Sequence, residues 1–326
     1  MARVGVIGGG AFGTAMACVL RRSGHAVTLW AREPEVVGSI ARGRVNARFL
    51  PGVPLDAAIE ATSDLAAAAR GRDFLVNAVP AQHVREVARA MRDAMARGTP
   101  VVSCSKGIER ESCALMPEVL AATLPGSPVA VLSGPSFAAE IAAGLPCGVA
   151  LACADLRLAR SLASSIGDAR FCVHPTDDIV GVALGGVMKN VVAIAAGAAA
   201  GRRLGENARA TVVALGLAES LRLGLAKGAR AETFAGLAGA GDMMLTAASL
   251  QSRNTSLGVA LGEGRPLQEV LGARLQVTEG AQSAPAVVAL ARRLGVAMPL
   301  AEAVDAVLAG RATLDAAIEG LLARAR

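Results

Sequence analysis

A chain of 326 residues is long enough for two domains, each with a buried core. Its residues are 53% hydrophobic and its mean hydropathy is +0.47, so a membrane-spanning reading has to be weighed. The net charge of +6 suits an acidic ligand, but aromatics make up 2% and the basic residues are scattered, which excludes the stacking platforms of a nucleic-acid binder.

In chain order, apolar runs at 3–7, 26–30, 74–78, 100–103, 129–132, 148–152 and 170–173 read as strands. The early ones are continuous, as buried parallel strands are. Helical patterns at 13–23, 33–42, 81–95 and 112–123 separate several of them, and that alternation predicts an α/β fold with a doubly wound sheet. From about Asp177 the strand signal stops. Helical patterns punctuated by glycine follow at 177–200, 207–225, 231–237, 266–271, 283–294 and 300–308. The predicted architecture is an N-terminal Rossmann-like domain over residues 1–178 and an all-α domain over 179–326.

The most apolar stretch, Ile179–Gly201, carries Lys189 and Asn190 near its middle and owes much of its hydropathy to Ala and Gly. A charge at a bilayer centre costs roughly 2.5–3.5 kcal/mol on insertion scales, which small residues offset poorly. A buried helix is expected there, and no integral membrane segment. Because Val4 already opens a strand pattern, no signal peptide is expected. The six cysteines form no C-x-x-C pair and read as small buried thiols in a reducing, cytoplasmic compartment. The three histidines are isolated from one another, so no metal site is predicted.

Gly8, Gly10 and Gly13 have G-x-G-x-x-G spacing directly after a strand and before a helix. That context marks a dinucleotide turn: tight at Gly8, open to a pyrophosphate at Gly10, and closely packed at Gly13. The helix N-terminus adds backbone donors for phosphate. After the second strand Arg32 stands where a cation would take a ribose 2′-phosphate, with Glu33 one step on, so NADP is expected and NAD is possible. Val79-Pro80, Ser105–Gly107 and Ser133–Glu140 each follow a strand at its carboxyl end, where open sheets bind ligands.

Lysine occurs only at 106, 189 and 227, against an arginine-rich background, so a retained lysine is a candidate for work needing a compact, titratable ammonium. Lys189 lies inside an apolar helix, where burial lowers an amine's pKa and suits it to exchange a proton with a carbonyl or alcohol. Arg253 beside Asn254 reads either as a phosphate grip or as a salt-bridged loop. Glu279 either orients a ribose hydroxyl or opens the following helix.

Together these residues resemble bacterial NAD(P)-dependent glycerol-3-phosphate dehydrogenase over essentially the whole chain. The resemblance rests on G-x-G-x-x-G-T-A at 8–15, N-A-x-F-L-P at 46–51, S-K-G at 105–107 and S-G-P-S-F-A-x-E at 133–140. It continues with G-x-x-K-N-V-x-A-I at 186–194, A-G-x-G-D at 238–242, Q-S-R-N at 251–254 and V-x-E-G at 277–280. It implies interconversion of dihydroxyacetone phosphate and sn-glycerol 3-phosphate for phospholipid synthesis, and a homodimer. Lys189 would exchange the proton, oriented by Asp242. Lys106, Gly134, Ser136, Asn190, Asp242, Thr246, Ser252, Arg253 and Asn254 would join it in binding substrate. Gly8, Gly10, Ala11, Phe12, Gly13, Arg32, Lys106, Ala138, Arg253, Val277 and Glu279 would bind the dinucleotide. Ala11 replaces a Ser common in that family, and Val187 replaces its usual Ala or Thr. Two other readings share the early motifs: a β-hydroxyacid or ketopantoate-type reductase acting on a carboxylate, and a non-catalytic dinucleotide sensor.

Overall fold

A computed structural model describes residues 1–272 and 277–324, which divide into two units. The first comprises Met1–Ser105 and Met116–Ile179, and the second comprises Lys106–Leu115 and Val180–Arg326. The excursion of Lys106–Leu115 into the second unit has no counterpart in the hydropathy pattern.

The first unit runs β1 (Arg3–Ile7), α1 (Ala11–Arg22), β2 (Ala26–Trp30), α2 (Pro34–Gly43), β3 (Ile59–Thr62), α3 (Leu65–Ala69), β4 (Phe74–Asn77) and α4 (Val84–Met91). It continues with β5 (Val101–Ser103), α5 (Met116–Thr123), β6 (Val129–Ser133), α6 (Ala138–Ala142), β7 (Cys147–Cys153), α7 (Leu156–Ile166) and β8 (Phe171–Thr176). The sheet order is β3-β2-β1-β4-β5-β6-β7-β8. Strands β1 to β6 are parallel, and β7 runs antiparallel to β6. The turn-back follows from the connection: residues 134–146 hold one short helix and never cross to the far end of the sheet. The order reverses between β1 and β4, and that crevice is where a doubly wound sheet takes its ligand.

Two expectations need correction. The helix expected at 112–123 begins only at Met116, because Lys106–Leu115 instead forms a loop closed by an Ile108–Leu115 bridge. The cysteines are all unpaired, but Cys172 is exposed and Cys147 half-buried, since both lie on the outer strands β7 and β8. Strand β3 escapes a pattern reading because it is four residues long with one fully buried side chain.

The second unit is helical: α8 (Ile179–Gly201), α9 (Gly205–Ala226), α10 (Ala231–Ala235), a π turn (Leu237–Gly241), α11 (Asp242–Ala248), α12 (Arg253–Gly262), α13 (Leu267–Gly272), α14 (Glu279–Arg293), α15 (Pro299–Leu308) and α16 (Leu314–Arg324). Helix α8 is long and apolar enough to cross a membrane by length and composition, yet 78% of its most apolar window is buried in the protein. Its glycines explain how. A Cβ on Gly197 would lie 2.2 Å from the Thr255 carbonyl oxygen, and one on Gly201 2.2 Å from that of Val259. From the other side, a Cβ on Gly258 would meet the Ile194 oxygen at 2.1 Å, and one on Gly262 the Ala198 oxygen at 2.5 Å. The α8 and α12 backbones therefore touch along four glycines, a distance that any side chain would forbid.

Gly258→Ala tests this seam. The substitution gains roughly 1 kcal/mol of helix propensity but overpacks against rigid backbone at the upper end of the roughly 1–3 kcal/mol range. A net loss of about 2 kcal/mol is expected in urea unfolding; an unchanged midpoint would show that the helices slide apart freely.

Candidate active site

In the first unit the glycine turn has the geometry its spacing implies. Gly8 has φ +119°, and a Cβ there would meet Ala78 backbone at 2.8 Å, so the turn presses into the β1–β4 crevice. A Cβ on Gly13 would lie 1.8 Å from the Gly8 oxygen, which fixes α1 against the turn. Around Gly10 an added Cβ would meet nothing within 4 Å. Gly10 is the N-cap of α1 and has no side chain to cap the helix, so backbone donors at Ala11, Phe12 and Gly13 head the helix, and no acidic residue lies in its first turn. A cradle of that shape and polarity fits the pyrophosphate of a nicotinamide dinucleotide. Arg32 lies past β2 with 74% of its side chain exposed, paired to Glu33 at 3.2 Å. Gly134 (φ +152°) would clash with Val149 if it carried a Cβ, and Ser136 Oγ donates to the Gly134 carbonyl at 2.7 Å. Ala138 opens α6.

The second unit gathers the remaining predicted residues. Asp242, 1% exposed at the head of α11, receives two ammonium groups. Lys106 Nζ lies 2.5 Å from Oδ2 and Lys189 Nζ 3.1 Å from Oδ1. Thr246, one turn along α11, accepts from Lys189 Nζ at 3.0 Å and donates to Asp242 Oδ1 at 3.2 Å. Val187 is buried and does not keep Lys189 from its partners. Burial lowers the Lys189 pKa from 10.5 to about 8; the Asp242 carboxylate pulls it upward, while Lys106 and Arg253 add to the lowering. Burial alone would raise Asp242, but the two ammonium groups outweigh it and hold the carboxyl below its usual value.

Asn190 donates through Nδ2 to the Lys106 carbonyl at 3.0 Å and accepts on Oδ1 from Asn254 Nδ2 at 2.8 Å. Asn254 Oδ1 in turn accepts from the Gly280 N–H at 2.9 Å, so its carboxamide is committed inward. Ser252 is the N-cap of α12, its Oγ accepting from the Thr255 N–H at 3.2 Å. Arg253 Nη1 donates to the carbonyl of Val277, just ahead of Glu279 in the first turn of α14.

Sequence reasoning missed the residues that set these distances. A Cβ on Gly185, one turn before Lys189, would lie 2.3 Å from the Ala238 carbonyl oxygen, so the missing side chain lets the π turn reach α8 and deliver Asp242. A Cβ on Gly280 would lie 2.5 Å from the Asn190 oxygen and 2.7 Å from Asn254 Oδ1. The signal was present, as Gly185-Gly186 and the glycine of V-x-E-G, but a pattern does not say what a glycine faces.

The comparisons with known proteins cover the same ground. The family profile described as NAD-dependent glycerol-3-phosphate dehydrogenase N-terminus matches residues 3–159, and its C-terminal counterpart matches 178–319. A glycerol-3-phosphate dehydrogenase [NAD(P)+] of Caulobacter vibrioides is 52% identical over 99% of this chain and 97% of its own. That of Rhodospirillum rubrum is 51% identical over 98% and 92%. Among solved structures, a glycerol-3-phosphate dehydrogenase from Coxiella burnetii superposes with a TM-score of 0.94 at 38% identity, covering 98% of each chain.

With three lysines in the chain, isotope-labelled lysine side chains are assignable by single Lys→Arg substitutions. Lys189 is expected to titrate near pH 8, and Asp242→Asn to move it lower still, because the carboxylate is what favours the charged form. An Asp242→Asn protein whose Lys189 titration rises would contradict this electrostatic arrangement.

Proposed function

The chain belongs to the NAD-dependent glycerol-3-phosphate dehydrogenase family, and from that membership we propose how its residues serve the reaction. It is an NAD(P)-dependent oxidoreductase that interconverts dihydroxyacetone phosphate and sn-glycerol 3-phosphate, a precursor of phospholipids. The single observation carrying the mechanism is the pair of ammonium groups on one buried carboxylate. Gly8, Gly10, Ala11, Phe12, Gly13, Arg32 and Ala138 of the first unit would hold the dinucleotide, which would supply the reducing equivalent when bound.

Lys189 hands its proton to the ketone oxygen. Before transfer the cluster carries two positive charges against one negative; afterwards Lys106 and Asp242 remain as a balanced pair. Proton release from Lys189 therefore leaves no uncompensated charge in a buried place, where such a charge is expensive. Thr246 holds the amine's direction, and Asn190 fixes the Lys106 backbone. The substrate phosphate lies at the N-terminus of α12, gripped by the Arg253 guanidinium, the Arg253 and Asn254 backbone N–H groups and the helix dipole. Asn254 contributes main chain, since its carboxamide already serves Asn190 and Gly280.

NADP is the preferred cofactor and NAD is accepted. An exposed Arg32–Glu33 pair is worth ~0–1 kcal/mol, so a 2′-phosphate displaces Glu33 readily. The enzyme acts as a homodimer in the cytoplasm: family membership supports the dimer, and six unpaired cysteines support a reducing compartment. A carboxylate-specific reductase is disfavoured by the phosphate-directed S-R-N segment at a helix N-terminus, and a mere sensor has no use for a buried, shared lysine.

Lys189→Ala is expected to cut turnover by about 10²–10⁴ with dinucleotide affinity nearly intact; equal turnover would remove Lys189 from its role. Ketone reduction should fall as pH rises through about 8, where Lys189 loses its proton, while alcohol oxidation rises over the same range. Arg253→Ala should mainly raise the KM for dihydroxyacetone phosphate. Initial rates run in parallel with NADH and NADPH, in wild type and Arg32→Ala, test the cofactor reading: a wild-type preference for NADH would refute it, and a preference for NADPH that survives the substitution would remove Arg32 from its role.

A further inference from the structure

The segment between α2 and β3 carries a fully buried polar side chain, Asn46, for which the mechanism has no use. Its carboxamide is saturated. Nδ2 donates to the carbonyl of Gly9 at 2.8 Å and to Thr14 Oγ1 at 2.8 Å, and Oδ1 accepts from the Phe49 N–H at 3.1 Å. The Asn46 carbonyl also accepts from the Leu50 N–H at 2.9 Å, closing the loop on itself. One side chain thus ties the middle of the glycine turn, the first helical turn of α1 and the 46–50 loop together.

The bond to Gly9 has a stereochemical consequence. In a trans peptide the C=O of one residue and the N–H of the next point in opposite directions. Pulling the Gly9 carbonyl inward onto Asn46 turns the Gly10 N–H the other way. Gly9 cannot rotate to relieve this, because it is pressed onto the end of β2, where an added Cβ would lie 2.4 Å from the Ala31 Cβ. The Gly10 carbonyl is likewise engaged, accepting from the Thr14 N–H at 3.0 Å, and the space beside Gly10 is open.

We propose that Asn46 is a positioning residue for the dinucleotide, setting the Gly9–Gly10 peptide so that the Gly10 N–H is aimed at the pyrophosphate before it arrives. This rests on the dinucleotide reading of the glycine turn given above. Most of the benefit is preorganisation: without the tether the peptide plane samples orientations in which the donor points elsewhere, and binding has to fix it.

The test is direct binding of NADH and NADPH, followed by energy transfer from Trp30, which is the sole tryptophan and ends β2. Asn46→Ala is expected to weaken both dinucleotides about 10- to 100-fold, while kcat at saturating dinucleotide and the KM for dihydroxyacetone phosphate stay within about threefold. Asn46→Ser is uncharged, keeps a hydroxyl acceptor for the Phe49 N–H and is too short to reach the Gly9 carbonyl. It should lose about as much affinity as Asn46→Ala, and it serves alone if the alanine variant fails to fold by circular dichroism. Unchanged dinucleotide affinity in a folded variant overturns the proposal, as does a parallel fall in kcat and in affinity for both ligands. Binding needs no turnover, so a wild-type chain that holds NADPH without reducing dihydroxyacetone phosphate would refute the proposed reaction and leave the role of Asn46 standing.

Discussion

Two cations share one anion at the heart of the second unit, and the surrounding structure exists to hold them so. Asp242 is almost wholly buried, and a carboxylate in that position is tolerable only because Lys106 and Lys189 both reach it. Removing one partner from a buried pair typically costs roughly 3–5 kcal/mol, because the other charge is left uncompensated. The odd count makes the arrangement chemically useful. Three charges cannot balance, so burial presses on the amine with the least support, and its proton becomes available near neutral pH. In an arginine-rich chain with three lysines, two of them converge on this carboxylate. An arginine at position 189 would keep its proton there.

Glycine brings these groups to their distances. The seam between α8 and α12 sets the N-terminus of α12, with Arg253 and Asn254, beside the helix that carries Lys189 and Asn190. The contact of Gly185 with the π turn delivers Asp242 to the same helix. Such close approaches cost backbone entropy in the unfolded chain, since glycine loses more freedom on folding than other residues. The return is a run of direct hydrogen bonds: Asn190 side chain to Lys106 carbonyl, Asn254 side chain to Asn190 side chain, and Gly280 N–H to Asn254 side chain. That relay also explains why an asparagine that looks like a phosphate ligand is instead turned inward. A carboxamide with both ends engaged in a buried place is held there by the cost of leaving either end unmet.

In the first unit the same economy operates through an amide. The glycine turn alone is permissive, able to adopt many peptide orientations. Asn46 removes that freedom from outside the turn, and the collisions a side chain would cause at Gly9 and Gly13 remove it from within. Binding donors fixed in advance cost less to use than donors that must be fixed by the ligand.

Much was written in the amino-acid order itself. Continuous apolar runs separated by helical periods dictate a buried parallel sheet, because only strands covered on both faces lack polar alternation. Glycine at 8, 10 and 13 after a strand dictates a tight turn closely packed at the head of a helix, and a lysine amid apolar helix residues dictates a perturbed amine. These are local statements, decided by neighbours in the chain. What only the tertiary structure decided is pairing. The loop Lys106–Leu115 leaves the sheet unit for the helical one, where Lys106 meets a carboxylate 136 positions away. No periodicity encodes that meeting, nor the inward turn of Asn254, nor the grip of Asn46 on Gly9, because each depends on which backbones approach closely enough to touch, and that is settled only when the whole chain packs.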